Sequence, residues 1–198
     1  MIQYGGAMTH ASLPDRVPAG SAPEGDGILM GTGPVQVDAF IDFLCPYCRR
    51  FEQANESLLA QLVSDGQARL VYHPMNFLDE ASTTSYSTRA AAASGCAADQ
   101  GRFLQYAHEL FAHQPPEGGA GLSDAELARL SQDAGLDSDA FAACMAAEAY
   151  RDWPTYVTSR ATEAGVTATP TVLVAGAQVR PAPHAIAEAV SQAAQDRR

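Results

Sequence analysis

The stretch from Val35 to Phe43 constrains this chain most, because its apolar positions Val35, Val37, Phe40, Ile41 and Phe43 occupy both faces of an extended segment. A strand that is apolar on both faces belongs inside a sheet covered on each side, as in an α/β protein. Cys45-Pro46-Tyr47-Cys48 follows at once, and from Pro46 the spacing turns helical. Phe51, Leu58, Leu59, Leu62 and Val63 fall on one stripe, with Gly66 in the stop position. Pro46 suits the first helical turn, where its missing N–H is not needed. A second strand, Leu70 to His73, ends at Pro74 and completes a β-α-β unit of parallel strands. Ile28 to Met30 reads as a short strand ahead of this unit.

Between about Ser82 and Gly165 the pattern is that of four or five helices with no convincing strand. One carries Cys96, another the stripe Phe103, Ala107, Leu110 and Phe111. A third opens with the capping box Ser123-Asp124-Ala125-Glu126. Cys144 sits in the next, and the helix holding Trp153 is compatible with Pro154 only if that proline lies in its first turn. After the helical block come Thr171 to Val174, a turn at Ala175-Gly176, a short strand near Val179, and a helix from Pro183 to about Ala194. The expected organisation is a flexible leader over residues 1–25, a first α/β part over 26–80, a helical insertion over 81–165 and a second α/β part over 166–198.

Composition narrows the function. With 23 Asp plus Glu against 12 basic residues, the chain repels a phosphate backbone, so a nucleic-acid partner is not expected. Every one of those basic residues is an arginine, which removes lysine Schiff-base chemistry and P-loop phosphate binding. No apolar run approaches the roughly 18 to 20 residues needed to span a bilayer, and the N-terminus lacks the pattern of a signal peptide. Four cysteines permit two disulfides, although a cytosolic redox protein carries the same number as readily.

Two cysteines three apart at a helix start are close enough to form a small disulfide. The first has its sulfur near the unsatisfied N–H groups of the first turn, which favour a thiolate. Cys45 therefore reads as the nucleophile, and Cys48, one turn inside the helix, as the resolving thiol. Pro46 stiffens the turn, while neutral Tyr47 offers at most a phenolic hydrogen bond, which points to a moderate oxidant. Tyr47 is equally consistent with a substrate-facing aromatic of no chemical role. A zinc site lacks a second Cys-x-x-Cys or a His-x-x-x-His pair to complete a tetrahedron. A buried structural disulfide remains the other alternative. Asp42, three residues before Cys45, and Glu52, one turn beyond Cys48 on the same helical face, are candidate proton acceptors. For each the competing reading is a solvated surface carboxylate. His73 reads as a satisfied strand-end histidine.

A strand, Cys45-Pro46-Tyr47-Cys48, a helix, a strand, a helical block and then Thr169-Pro170 before two short strands resembles the DsbA-like branch of the thioredoxin superfamily. The resemblance runs from about Gly27 to the C-terminus. The segments His73-Pro74-Met75-Asn76-Phe77-Leu78-Asp79 and Tyr86-Ser87-Thr88-Arg89 are most similar to actinobacterial envelope members. It implies a thioredoxin fold with a central mixed β-sheet and an inserted helical domain. It also implies a cis Pro170 facing Cys45, with the Thr169 backbone receiving an extended substrate segment. The chain departs from the pattern at Ala168, where relatives often have glycine, and at Ala39, where thioredoxin places a buried acid. The same resemblance suggests a structural bridge between Cys96 and Cys144; two reduced, buried cysteines are the alternative.

The implied activity is thiol-disulfide oxidoreduction with no cofactor beyond a redox-active disulfide and no metal. The expected partners are reduced or unfolded exported proteins and a quinone-linked membrane oxidase, with the chain acting as a monomer. A reductase or isomerase on the same fold and a metal-binding domain using Cys45, Cys48 and His73 are the alternatives. The resemblance places the protein in the cell envelope, on the premise that a signal or anchor is missing from this chain; a cytoplasmic location stays open.

Overall fold

The computed structural model describes residues 12–197. Its centre is a five-stranded mixed sheet in the order β1-β3-β2-β4-β5, formed by β1 (Ile28–Met30), β2 (Val35–Ile41), β3 (Ala68–Pro74), β4 (Thr171–Val174) and β5 (Ala177–Val179). Only β2 and β3 run parallel, in register from Val35 opposite Ala68 to Ile41 opposite Pro74. β4 pairs antiparallel with the other edge of β2, placing Phe40 opposite Thr171. The strand that leads to Cys45 thus lies beside the strand that follows Thr169-Pro170. Sheet pairing, not the loops, brings those two motifs together.

Helix α1 (Pro46–Ser64) starts with proline in its first turn and stops at Gly66, whose φ of +67° is the left-handed conformation that glycine adopts without strain. It packs against β3 and against α7 (Pro183–Gln195), which also contacts β2 and β4. Gly33 is required for another reason: a Cβ there would come within 2.4 Å of the Ala68 backbone nitrogen, so any side chain would push β2 and β3 apart.

The helical block comprises α2 (Tyr86–Asp99), α3 (Phe103–Ala112), α4 (Asp124–Asp133), α5 (Ser138–Ala146) and α6 (Trp153–Glu163). Ser123 and Glu126 form the expected reciprocal cap on α4, and Pro154 lies in the first turn of α6. Cys96 of α2 is bonded to Cys144 of α5 with the sulfurs 2.07 Å apart. Buried aromatic and aliphatic side chains, among them Tyr86, Tyr106, Leu110, Leu127 and Phe141, fill the space between these helices. They are continuous with the core under the sheet.

Two expectations change. Residues 12–25, read as part of a flexible leader, are fastened to the body: Arg16 pairs with Asp99 at 3.1 Å, and Ser21 bridges Ile28 beside β1. Trp153 Nε1 and Tyr156 Oη each donate at 2.7 Å to the carbonyls of Gly25 and Glu24. The low apolar content of this segment hides a tether made through backbone carbonyls, which leave no trace in a hydropathy pattern. Residues 1–11 of that leader lie outside the described residues. The second change is that β2 stops at Ile41, short of Phe43, because the chain turns there for a reason found in the site.

Candidate active site

Cys45 caps the N-terminus of α1 in an extended conformation, and its carbonyl accepts from the N–H groups of Cys48 at 3.0 Å and Arg49 at 3.2 Å. Both active-site cysteines are free thiols, and both are buried. The Thr169–Pro170 peptide is cis, and the Thr169 carbonyl oxygen lies 3.4 Å from Cys45 Sγ. Cys45 and the proline loop therefore face one another across the end of the sheet, as the pairing of β2 with β4 demands.

The two thiols are driven in opposite directions. A hydrogen bond from the Cys48 thiol is the main influence lowering the Cys45 pKa to about 6, against the opposing effect of burial. The Thr169 side chain and the backbone N–H groups of Cys48 and Tyr47 add to it. Cys48 is pushed well above an ordinary thiol, chiefly by burial, then by that same bond and by the charge on Cys45. One sulfur is an anion at neutral pH and its neighbour keeps its proton.

Asp42 explains the early end of β2. Its side chain is fully buried, and Oδ1 accepts from the Leu44 N–H at 2.8 Å and the Ser87 hydroxyl at 2.7 Å. Oδ2 accepts from the Leu78 N–H at 2.9 Å, while the Asp42 N–H points at Cys48 Sγ, 3.4 Å away. Burial raises this carboxyl to about 6, its three hydrogen bonds oppose the rise, and the Cys45 charge adds to it. Glu52 is also buried, at 3 % exposure, and its Oε2 accepts from the Tyr72 hydroxyl at 3.2 Å. Burial lifts it to about 7, with the neighbouring Glu56 adding to the rise. Neither acid is the solvated surface carboxylate that was the competing expectation. Asp42 meets the cysteines directly; the charged groups acting on Glu52 are Glu56 and His108.

Two further side chains contribute without a role that the sequence pattern assigns them. Ser87, at the start of α2, belongs to the segment Tyr86-Ser87-Thr88-Arg89 that carries part of the resemblance, and it supplies one of the three donors to Asp42. Gln114, just beyond α3, donates from Nε2 to the carbonyls of both Phe43 and Cys45 at 2.9 Å. The only local signal is a polar residue opening a Pro-Pro loop. His73 sits away from the thiols, with Nδ1 2.7 Å from the Asp26 carbonyl, Nε2 3.1 Å from Asp38 and its ring stacked on Phe40. Tyr47 is 64 % exposed and lines a groove of about 350 Å³ with Arg50, Phe51, Thr169, Pro170 and Pro181. Among the described residues no cluster of three or more His, Cys, Asp or Glu side chains is placed to hold a metal ion.

The family model described as Thioredoxin matches residues 26–192, nearly the whole of the described chain. The chain belongs to the thioredoxin family. Within it, the oxidised form of DsbA from Mycobacterium tuberculosis is 30 % identical, with a TM-score of 0.74 over 85 % of this chain and 93 % of that one. Reduced DsbG from Mycobacterium tuberculosis is 32 % identical, with a TM-score of 0.68 over 78 % of this chain and 80 % of that one. The protein is accordingly a thiol-disulfide oxidoreductase of the DsbA/DsbG type, with the mixed sheet and inserted helices of that group. MdbA from Actinomyces oris, 18 % identical with a TM-score of 0.69, shares the fold. Among curated proteins, the serine/threonine-protein kinase PknE of Mycobacterium tuberculosis is 40 % identical over 124 residues, 58 % of this chain. The chain spans about a fifth of that relative's length, 22 %.

Proposed function

We propose that this protein introduces disulfides into exported proteins in the cell envelope, working through Cys45 and Cys48 as a redox-active disulfide with no other cofactor. The observation that carries the reading is the asymmetry of the thiols: Cys45 is lowered to about 6 while Cys48 is raised. Stabilising the thiolate stabilises the reduced pair, and a dithiol that prefers to be reduced makes its disulfide an oxidant.

In the forward reaction a substrate thiolate attacks Cys45 Sγ of the oxidised pair, the Cys45–Cys48 bond breaks, and Cys48 leaves and takes up a proton. A second substrate thiolate then attacks the substrate sulfur of the mixed disulfide and expels Cys45 as a thiolate. Two electrons pass from the substrate thiols to the protein, and the substrate gains one disulfide. Thr169 and cis Pro170 hold the substrate backbone as an added strand. When the pair runs in reverse Cys48 must lose its proton, and Glu52 is the proposed acceptor. Its pKa of about 7 suits transfer near neutral pH, and among the described residues the one hydrogen bond to its carboxylate is from Tyr72 to Oε2. Asp42, with three donors on its carboxylate, acts instead on the turn. Reoxidation is assigned to a membrane oxidase that passes the electrons to quinone.

The similarity to DsbG favours a second reading, a reductase or isomerase on the same fold. The active-site reduction potential, measured by equilibration with glutathione, separates the oxidase from the reductase. A value between about −200 and −120 mV supports the oxidase, and one near the roughly −270 mV of thioredoxin overturns it. Cys45→Ser abolishes oxidation of a reduced substrate, and Cys48→Ala accumulates a mixed disulfide; full activity of the Cys45 variant refutes the mechanism.

A further inference from the structure

The groove beside the nucleophile is apolar along most of its lining, through Tyr47, Phe51, Pro170 and Pro181, and carries a charge at one point, Arg50. Apolar walls and a backbone-binding loop accept many sequences, so the charge is the feature able to discriminate between them. Its setting is unusual for this molecule. With 23 acidic against 12 basic residues, the protein as a whole repels acidic segments. Five of its twelve arginines are committed to its own carboxylates: Arg16 to Asp99, Arg89 to Asp124, Arg129 to Asp133, Arg151 to Glu148 and Arg160 to Glu163.

Arg50 has no such partner among the described residues. Its guanidinium carbon lies 5.4 Å from the centroid of the exposed Tyr47 ring. An aromatic face restrains a guanidinium without neutralising it, so the charge stays available and less side-chain freedom is lost when a carboxylate arrives.

The spacing fits an extended ligand. Arg50 is five residues after Cys45 on α1, about 7.5 Å along the helix axis at 1.5 Å per residue. In a strand, side chains two residues apart share a face and lie about 7 Å from one another. A substrate whose cysteine meets Cys45 and whose extended chain runs through the groove toward Arg50 brings the side chain two positions away within reach of the guanidinium held over Tyr47.

We propose that Arg50 is a specificity residue, selecting substrate segments that carry an acidic side chain two residues from the cysteine that meets Cys45. This rests on the thiol-exchange reading above and adds a substrate class to it. A glutamate or aspartate there pairs with the guanidinium, while a lysine meets an unshared positive charge.

The test uses the oxidised full chain and two-cysteine peptides that differ only in Glu, Gln or Lys at that position, with oxidation rates read by quenched alkylation. The expected order is Glu, then Gln, then Lys. Each step is about two- to fivefold, the range an exposed ion pair supplies. Arg50→Gln levels the three rates and Arg50→Glu reverses their order. In the unmodified protein the spread contracts in about 1 M salt, where the screening length falls to about 3 Å; this arm requires no variant to fold. Equal rates for the three peptides in the unmodified protein, or a preference for Glu that survives in Arg50→Gln, overturn the proposal. Failure of the unmodified protein to oxidise any peptide is a different result: it removes the thiol-exchange reading itself, and this proposal with it.

Discussion

Replacing Glu52 with glutamine tests whether this acid of the active-site helix is held in a medium that resists its charge. The side chain is 3 % exposed on α1, and burial is the largest cause of its rise from 4.5 to about 7. At about 1.4 kcal/mol per pH unit, that rise means ionised Glu52 costs the native state about 3 kcal/mol relative to the unfolded chain. The folded pKa lies above the unfolded one. The penalty is therefore absent below about pH 4.5, where both states are protonated, grows as the pH climbs, and levels off above about 7. Glutamine keeps the shape and can still accept from Tyr72, but carries no charge at any pH. The stability of Glu52→Gln minus that of the parent should then rise by about 3 kcal/mol between pH 4 and pH 8. Urea denaturation of both proteins across that range measures it, and the other titrating groups cancel in the difference. A difference that stays constant with pH refutes the assignment of a raised, buried carboxyl. If Glu52 also takes the Cys48 proton, the variant releases mixed disulfides more slowly near pH 7.

Cys48→Ala removes the donor that does most to lower Cys45, so the thiolate absorbance at 240 nm should reach half its height above the parent's pH of about 6; an unmoved midpoint contradicts the pairing. Replacing both Cys96 and Cys144 with alanine opens a loop of 48 residues, and urea unfolding should show a loss of about 4 kcal/mol on the loop-entropy model. Gln114→Met keeps the volume but withdraws both bonds to the Phe43 and Cys45 carbonyls. Exchange should slow several-fold at pH 6 and little at pH 9 as the Cys45 midpoint rises, whereas a purely structural role lowers the melting temperature and leaves the pH profile in place.

Residues that act through local pattern were legible in the sequence, and those that act across the chain were not. The apolar faces of Val35 to Ile41, the stripe along α1 and the reciprocal cap at Ser123 each leave a periodic or short-range mark. The cysteine pair is legible for the same reason, since three residues at a helix start fix its geometry. β3 begins two residues earlier than its apolar run suggests, because Ala68 and Arg69 are drawn into the ladder by Val35 and Gln36 of β2, not by their own preference for strand. Asp42 was visible as an acid near the thiols, but its role was not. Its hydroxyl donor, Ser87, is 45 residues away, and Gln114 is 69 residues from the carbonyl of Cys45. Serine and glutamine are ordinary surface residues, and nothing in their neighbourhood announces which distant backbone they bind.

Those long-range bonds give the helical insertion a part in the chemistry. Burial alone would leave Asp42 protonated, and the N–H groups of Leu44 and Leu78 and the Ser87 hydroxyl offset this to leave it near 6. One of these donors belongs to α2, so the insertion helps set the charge beneath the nucleophile. Asp42 and the Cys45 thiolate repel one another, and forming the disulfide removes the sulfur's charge. Oxidation of the pair therefore favours ionisation of Asp42, and reduction favours its protonation. Gln114 closes the same turn from its carbonyl side. The residues between Asp42 and Cys45 are thereby held by two side chains, one accepting and one donating, and the helical insertion reaches both sides of the turn. That explains how a tetrapeptide with neutral Tyr47 at its centre can still lower Cys45 to about 6: apart from Thr169 across the groove, the stabilising donors lie within the turn, and the turn is fixed from outside.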